Sequence, residues 1–181
     1  MNYYNKISKG YDELYKEEQL KKLSIIKNNI KIIKNNLLLD VGCGTGISSQ
    51  FNCKVIGIDN SIELLKINKN KNKILSNAEN LPFKDNIFDI VVSITALHNF
   101  DNVEKSLKEI KRVGKNEFIF SVLKMSEFSN ENPEHAQKPL VFGKSKKFNE
   151  IKKLIKKYFK INKIIEEEKD TIFLLKQKLY K

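Results

Sequence analysis

The sequence predicts an α/β domain built on a mainly parallel sheet, closed at its C-terminal edge by an antiparallel strand pair. Three observations carry this. Short apolar, β-branched runs alternate with amphipathic stretches between residues 37 and 159, and that alternation calls for parallel strands joined by right-handed crossovers. The chain then closes on two consecutive strand-like runs around a turn at Lys169–Asp170. Its 181 residues, 40% hydrophobic and 31% charged, make one domain with enough apolar material for a single core. The expected division is an N-terminal helical lid over 1–35 and an α/β core over 36–181.

Taken in order, residues 11–34 place Leu14, Leu20, Leu23, Ile26, Ile30 and Ile33 mostly three or four apart, an amphipathic helix with one break. "LLLDVG" is a short buried strand ending at glycines. "KVIGID" (54–59) is a second, and "SIELLKINKNK" a helix capped by Ser61. "KIL" (73–75) is a third strand, and the apolar "FDIVVSIT" (88–95) a central fourth. "NVEKSLKEIKRVG" aligns Val103, Leu107, Ile110 and Val113 on one helical face, with Gly114 to stop it. "EFIFSVL" (117–123) is the fifth strand. Residues 124–147 are polar, contain two prolines and read as a long loop. A helix over 149–159 and strands "INKIIEEE" and "TIFLLKQK" complete the chain.

The net charge of +12 invites a nucleic-acid partner. That charge comes from 33 Lys against a single Arg, beside 23 Ile and 21 Asn. Lysine, isoleucine and asparagine share A/T-rich codons, so composition accounts for part of it. Nucleic-acid binders favour arginine where a planar fork grips phosphate or guanine. Cys43 and Cys53 have neither metal-ligand spacing nor a companion pair, so the expectations are a reducing cytoplasm, no disulfide framework and no bound metal. No run approaches the roughly 20 apolar residues of a membrane span. The N-terminus has no apolar block to serve as a signal peptide.

The glycines are the informative feature. Ligands in such sheets bind outside the carboxyl ends of the strands, which is where "DVGCGTG" falls. Gly42, Gly44 and Gly46 are spaced G-x-G-x-G, whereas a dinucleotide turn is G-x-G-x-x-G. Asp40 stands at the mouth, unfavourable for pyrophosphate and favourable for an ammonium. The expected ligand is cationic at that end.

"LLLDVGCGTG" resembles the first motif of class I S-adenosylmethionine-dependent methyltransferases. "VIGIDNS" is similar to their second-strand acidic motif, and "SNAENLPFKDNIFDIVVSITALHNF" to their adenine-side and fourth-strand motifs. The closest likeness is to the ubiquinone/menaquinone-biosynthesis-like branch, called type 11, strongly over 37–123 and loosely on the flanks. The resemblance implies a Rossmann-like, doubly wound sheet of seven strands and S-adenosyl-L-methionine as cofactor, with S-adenosyl-L-homocysteine as product.

By that resemblance, Asp40 balances the methionine ammonium, directly or through water, and the backbone of Gly42, Cys43, Gly44 and Gly46 approaches the cofactor. Cys43 also reads as a small space-filler, with a catalytic thiol as the alternative. Asp59 accepts from both ribose hydroxyls, with Asn60 beside it; its other reading is a helix N-terminal acid. Ile62 offers an apolar face to adenine. Asn77 stands where the family has aspartate, so its adenine contact is neutral, and Ala78 gives a backbone N–H. Ser93 on the fourth strand completes the cofactor set, and Glu79 reads as an outer residue. Tyr4 and Tyr11 belong to an aromatic lid, with ordinary helix packing the alternative for Tyr11. The segment 47–53 is too short for the family's three-turn helix, so that sheet face is expected to be thinly covered and open to a partner.

No Asn/Asp-Pro-Pro-aromatic motif and no cytosine-C5-type cysteine loop is present. His98 sits after the fourth strand, where the methyl acceptor is expected, as base, substrate contact or satisfied polar residue. His135, in the polar loop, reads as surface. The acceptor is left between RNA, with a small activating protein subunit, and a small metabolite. A cofactor-binding protein without catalysis is the reading from another class.

Overall fold

The computed structural model describes residues 11–124 and 148–178, with Tyr4 and His135 outside them. Seven strands form one sheet: β1 (Leu37–Val41), β2 (Lys54–Asp59), β3 (Lys73–Leu75), β4 (Phe88–Ile94), β5 (Gly114–Leu123), β6 (Phe159–Glu166) and β7 (Asp170–Gln177). The helices are α1 (Tyr11–Asn29), α2 (Ile62–Ile67), α3 (Val103–Val113) and α4 (Phe148–Tyr158). The order across the sheet is β3-β2-β1-β4-β5-β7-β6, with β1 to β5 parallel and β7 antiparallel to both β5 and β6. The strand order reverses between β1 and β4, which opens a crevice at their carboxyl ends. The Rossmann-like, seven-stranded expectation is met, antiparallel edge included.

Sequence pattern explains most boundaries. Ser61 caps α2 by accepting from the Leu64 N–H, and Asn102 caps α3 by accepting from Lys105. Val103, Leu107, Ile110 and Val113 are all fully buried, so the stripe of α3 packs on Val91, Phe118 and Phe120 together with Ile151 and Ile155 of α4. The single arginine, Arg112, grips both Glu109 oxygens, Asp85 and the carbonyls of Leu81 and Phe83. It pins the segment before β4 to α3.

Three expectations need correction. First, α1 ends at Asn29, so Ile30 and Ile33 lie beyond the helix. Second, Gly114 does stop α3, but in an extended conformation (φ −90°) rather than a left-handed turn. A Cβ there would lie 2.4 Å from the Phe118 ring and 2.8 Å from Val91. Packing, not turn geometry, demands that glycine. Third, the face beside residues 47–53 is covered. Only a 3-10 turn (Ile47–Ser49) stands there, yet Leu23 and Ile26 of α1 join Phe51 over Leu38, Val55, Ile90, Val92 and Ile119. Through Leu23 and Ile26, α1 acts as one layer of the fold.

Candidate active site

At the carboxyl end of β1 the chain turns through Gly42 (φ +80°), Gly44 (φ +50°) and Gly46 (φ +89°), a left-handed region open to glycine and strained for other residues. The Gly42 and Cys43 N–H groups both donate to the Ile58 carbonyl, at 2.8 and 2.9 Å, fastening the turn to β2. A Cβ on Gly42 would lie 2.5 Å from Ala96, and one on Gly46 would lie 2.4 Å from Asn68 Oδ1. Gly44 differs: among the described residues only Leu64 comes within 4 Å of its would-be Cβ, at 3.8 Å. The protein crowds the outer two glycines and leaves a cradle at the middle one.

Asp59 closes β2 beside this cradle. Its Oδ2 accepts the Gly44 N–H and its Oδ1 the Ser61 N–H, each at 2.8 Å. Burial pushes its carboxyl above the usual aspartate range, and the amides of Ser61, Gly44 and Asn60 pull it back. It is therefore a brace for the turn as well as the helix N-terminal acid. Asp40 is fully buried behind the turn, and Ser49 Oγ donates to its Oδ2 at 3.0 Å. The Cys43 side chain points toward Gly57, whose would-be Cβ meets Sγ at 2.7 Å. Burial, then Asp40 and Asp59, push that thiol far up. A nucleophile needs the thiolate, so Cys43 fills space.

Ile62 is 43% exposed at the start of α2 and Asn60 is exposed beside it. Asn77 is exposed, its side-chain oxygen accepts the Glu79 N–H at 3.0 Å, and Ala78 is buried. Glu79 in turn accepts from the Asn102 N–H at 2.6 Å. Ser93 has no exposed surface, and its hydroxyl donates to the Val41 carbonyl at 2.9 Å, so it stands behind the turn. Tyr11 begins α1.

Two residues had escaped the sequence reading. Asn68, 2% exposed, donates to the Gly44 carbonyl at 3.0 Å and fills the space above Gly46. Its distance from the glycines in sequence hides it. Lys22 is 3% exposed and reaches from α1 to Thr95, just past β4. A signal existed, since Glu18, Lys22 and Ile26 recur four apart and so share the inward helix face.

Ala96 and Phe100, on the loop after β4, lie directly against Gly42. His98, in the 3-10 turn Leu97–Asn99 of that loop, is 4% exposed. Burial, then the nearby Lys22 cation, lower its pKa from 6.5 to about 4. It is neutral at physiological pH, the protonation state a base requires. Between those two values the unfolded chain binds the proton and the folded one does not, so stability falls as pH drops through the window. From pH 7 to pH 5 this group should cost the fold on the order of 2 kcal/mol. Urea melts of the wild type and His98→Gln at both pH values check this; an equal acid loss in the two proteins would refute it.

A family model described as a methyltransferase domain matches residues 39–122, from within β1 almost to the end of β5. The chain belongs to the class I S-adenosylmethionine-dependent methyltransferases, type 11 branch. Among relatives of this methyltransferase, Uncharacterized protein MJ1123 of Methanocaldococcus jannaschii is 31% identical over 164 residues, covering 86% of the chain and 78% of the relative. Uncharacterized protein MJ1252 of the same organism is 41% identical over 127 residues, covering 66% of the chain and 50% of the relative. The chain thus spans only half the length of that relative. A shorter match, 33% over 84 residues, is to Probable tRNA methyltransferase 9B of Mus musculus, covering 44% of the chain and 19% of the relative.

Solved structures share the fold. A SAM-dependent methyltransferase of Thermotoga maritima superposes with a TM-score of 0.76 at 19% identity, over 97% of this chain and 98% of that one. The complex between the Haloferax volcanii Trm112 methyltransferase activator and its methyltransferase partner gives 0.62 at 18% identity, over 67% of this chain and 61% of that one. Among the described residues no helix is long and apolar enough to cross a membrane.

Proposed function

We propose that this methyltransferase binds S-adenosylmethionine on the glycine turn and methylates RNA, either tRNA or rRNA. The observation that carries the cofactor reading is the uncrowded backbone at Gly44, with Asp59 braced beside it and Asp40 buried behind the turn. When bound, the cofactor supplies an electrophilic methyl on its sulfonium. The residues do the holding. Asp40 provides a negative field for the ammonium, Asp59 accepts from the ribose hydroxyls, and Ile62 and Ala78 border the adenine. Gly42, Cys43, Gly44 and Gly46 offer backbone, with Asn60 and Asn77 at the rim. Ser93 supports the turn from behind. Alignment of donor and acceptor can supply roughly 7–11 kcal/mol of barrier lowering. A base is needed only where the acceptor must lose a proton, and neutral His98 is the candidate.

The RNA reading rests on the net charge of +12 and on the tRNA methyltransferase among the relatives. A small activating subunit is proposed with it, from the activator complex among the fold neighbours. It no longer has a bare sheet face to explain it.

S-adenosylhomocysteine should raise the melting temperature, because a ligand that binds only the native state stabilises it by mass action, and NAD should not. A shift with NAD alone would end the cofactor reading. Label from tritiated cofactor should enter bulk tRNA or rRNA of a strain lacking the gene, but not RNA of the parent strain, and an RNA-depleted host extract should increase it. Label entering a small-molecule extract instead, with neither RNA pool labelled, would overturn the RNA reading in favour of a metabolite.

A further inference from the structure

Four polar side chains from different elements meet behind the loop that follows β4. The Lys22 ammonium, on α1, donates to Glu18 Oε1 at 2.7 Å and Thr95 Oγ1 at 2.8 Å, and pairs with Asp170 Oδ2 at 2.6 Å. Asp170, 1% exposed at the start of β7, accepts on its other oxygen from Ser121 of β5 at 2.9 Å. The Ser121 and Thr95 hydroxyls are 3.2 Å apart. An ammonium only donates and a carboxylate only accepts. The Ser121 proton therefore goes to Asp170, and the Thr95 proton to Ser121. The four groups close a ring, Lys22 to Thr95 to Ser121 to Asp170 and back to Lys22, in which every proton has one direction. The ammonium is held within the protein by two hydrogen bonds and by the ion pair with Asp170 that closes the ring, so Lys22 is not a substrate contact.

We propose that this ring is a positioning device for the site: α1, through Lys22, clamps the Thr95–Phe100 loop so that Ala96 forms a fixed wall against the glycine turn. Thr95 is the joint. It is a β-branched residue at φ +55°, a conformation that persists only when its surroundings impose it. Its hydroxyl sits between Lys22 and Ser121, and its N–H donates to the Ser121 carbonyl at 3.1 Å. The next residue, Ala96, is the one that a Cβ on Gly42 would strike. Removing the joint should let the loop open and blur the cradle. The clamp rests on the cofactor reading for its purpose, though not for its existence.

Thr95→Val keeps the shape and deletes the hydroxyl, whereas Thr95→Ser keeps the hydroxyl. In the valine variant without ligand, amide exchange of residues 96–100 should quicken about fivefold, and the dissociation constant for S-adenosylhomocysteine by calorimetry should rise by about the same factor. The serine variant should match wild type in both. Ser121→Ala opens the ring without stranding the ammonium, so it should move both readouts the same way by a smaller factor. It decides the matter should the valine variant not fold. Unchanged exchange in Thr95→Val and Ser121→Ala would overturn the clamp. Faster exchange with unchanged affinity would overturn its role in the site. If the wild type fails to bind S-adenosylhomocysteine, the cofactor reading falls, while exchange still decides the clamp.

Discussion

Lys22→Met is expected to lower the unfolding free energy by about 3–5 kcal/mol, because it leaves a buried carboxylate without its cation. Asp170 is 1% exposed and Lys22 is 3% exposed, so water cannot replace the lost partner without local opening. Glu18 is less affected, being partly exposed and within 3.7 Å of Lys169. Replacing both members of a buried pair costs far less than removing one. The double variant Lys22→Met, Asp170→Asn should therefore recover most of the loss. Urea denaturation at neutral pH, with equal slopes for the three proteins, is the measurement. A single variant as stable as wild type would mean that the pair is open to solvent in solution.

Asp59→Ala should weaken S-adenosylhomocysteine binding by roughly 3 kcal/mol, on the order of 100-fold. A ribose contact alone would predict less. The added loss arises because the carboxylate also accepts the Gly44 and Ser61 amides, and a buried donor left unsatisfied carries its full desolvation penalty. The substitution thus removes a ligand contact and loosens the turn that forms the cradle. Asp59→Asn should fall between, since its amide group would face one backbone N–H with another donor. Calorimetry reads the affinity, and circular dichroism at the working temperature confirms that each variant is folded. Affinity within twofold of wild type in the alanine variant would mean that the site lies elsewhere.

Much of this site was legible because its chemistry is local. Gly42, Gly44 and Gly46 follow a strand within five residues, and their positive φ values are what glycine spacing there implies. Ser61 lies at the N-terminus of α2, where a capping residue is expected. Of the two readings of Asp59, ribose acid and helix N-terminal acid, its donors Gly44 and Ser61 support the second. The reasons behind some residues were not legible. Gly114 reads as a helix stop, yet Phe118 and Val91 are what exclude a side chain there.

What the amino-acid sequence alone determined, then, is the order of strands and helices, the glycine turn with its two acids, and the family to which they belong. The elements and the turn depend on periodicity and on neighbours a few residues apart, and the family on the resemblance of the motifs. Tertiary structure alone decided that α1 covers the face beside residues 47–53, that Asn68 plugs the turn, and that Lys22 reaches Thr95 and Asp170. Lys22 and Thr95 are separated by 73 residues, and Lys22 and Asp170 by more still. A lysine on a mixed helix looks solvated until the sheet beneath presents it with a carboxylate and a hydroxyl. Spacing can mark the inward face of a helix, as it does for Glu18, Lys22 and Ile26, but the partners met there from other elements belong to the assembled fold.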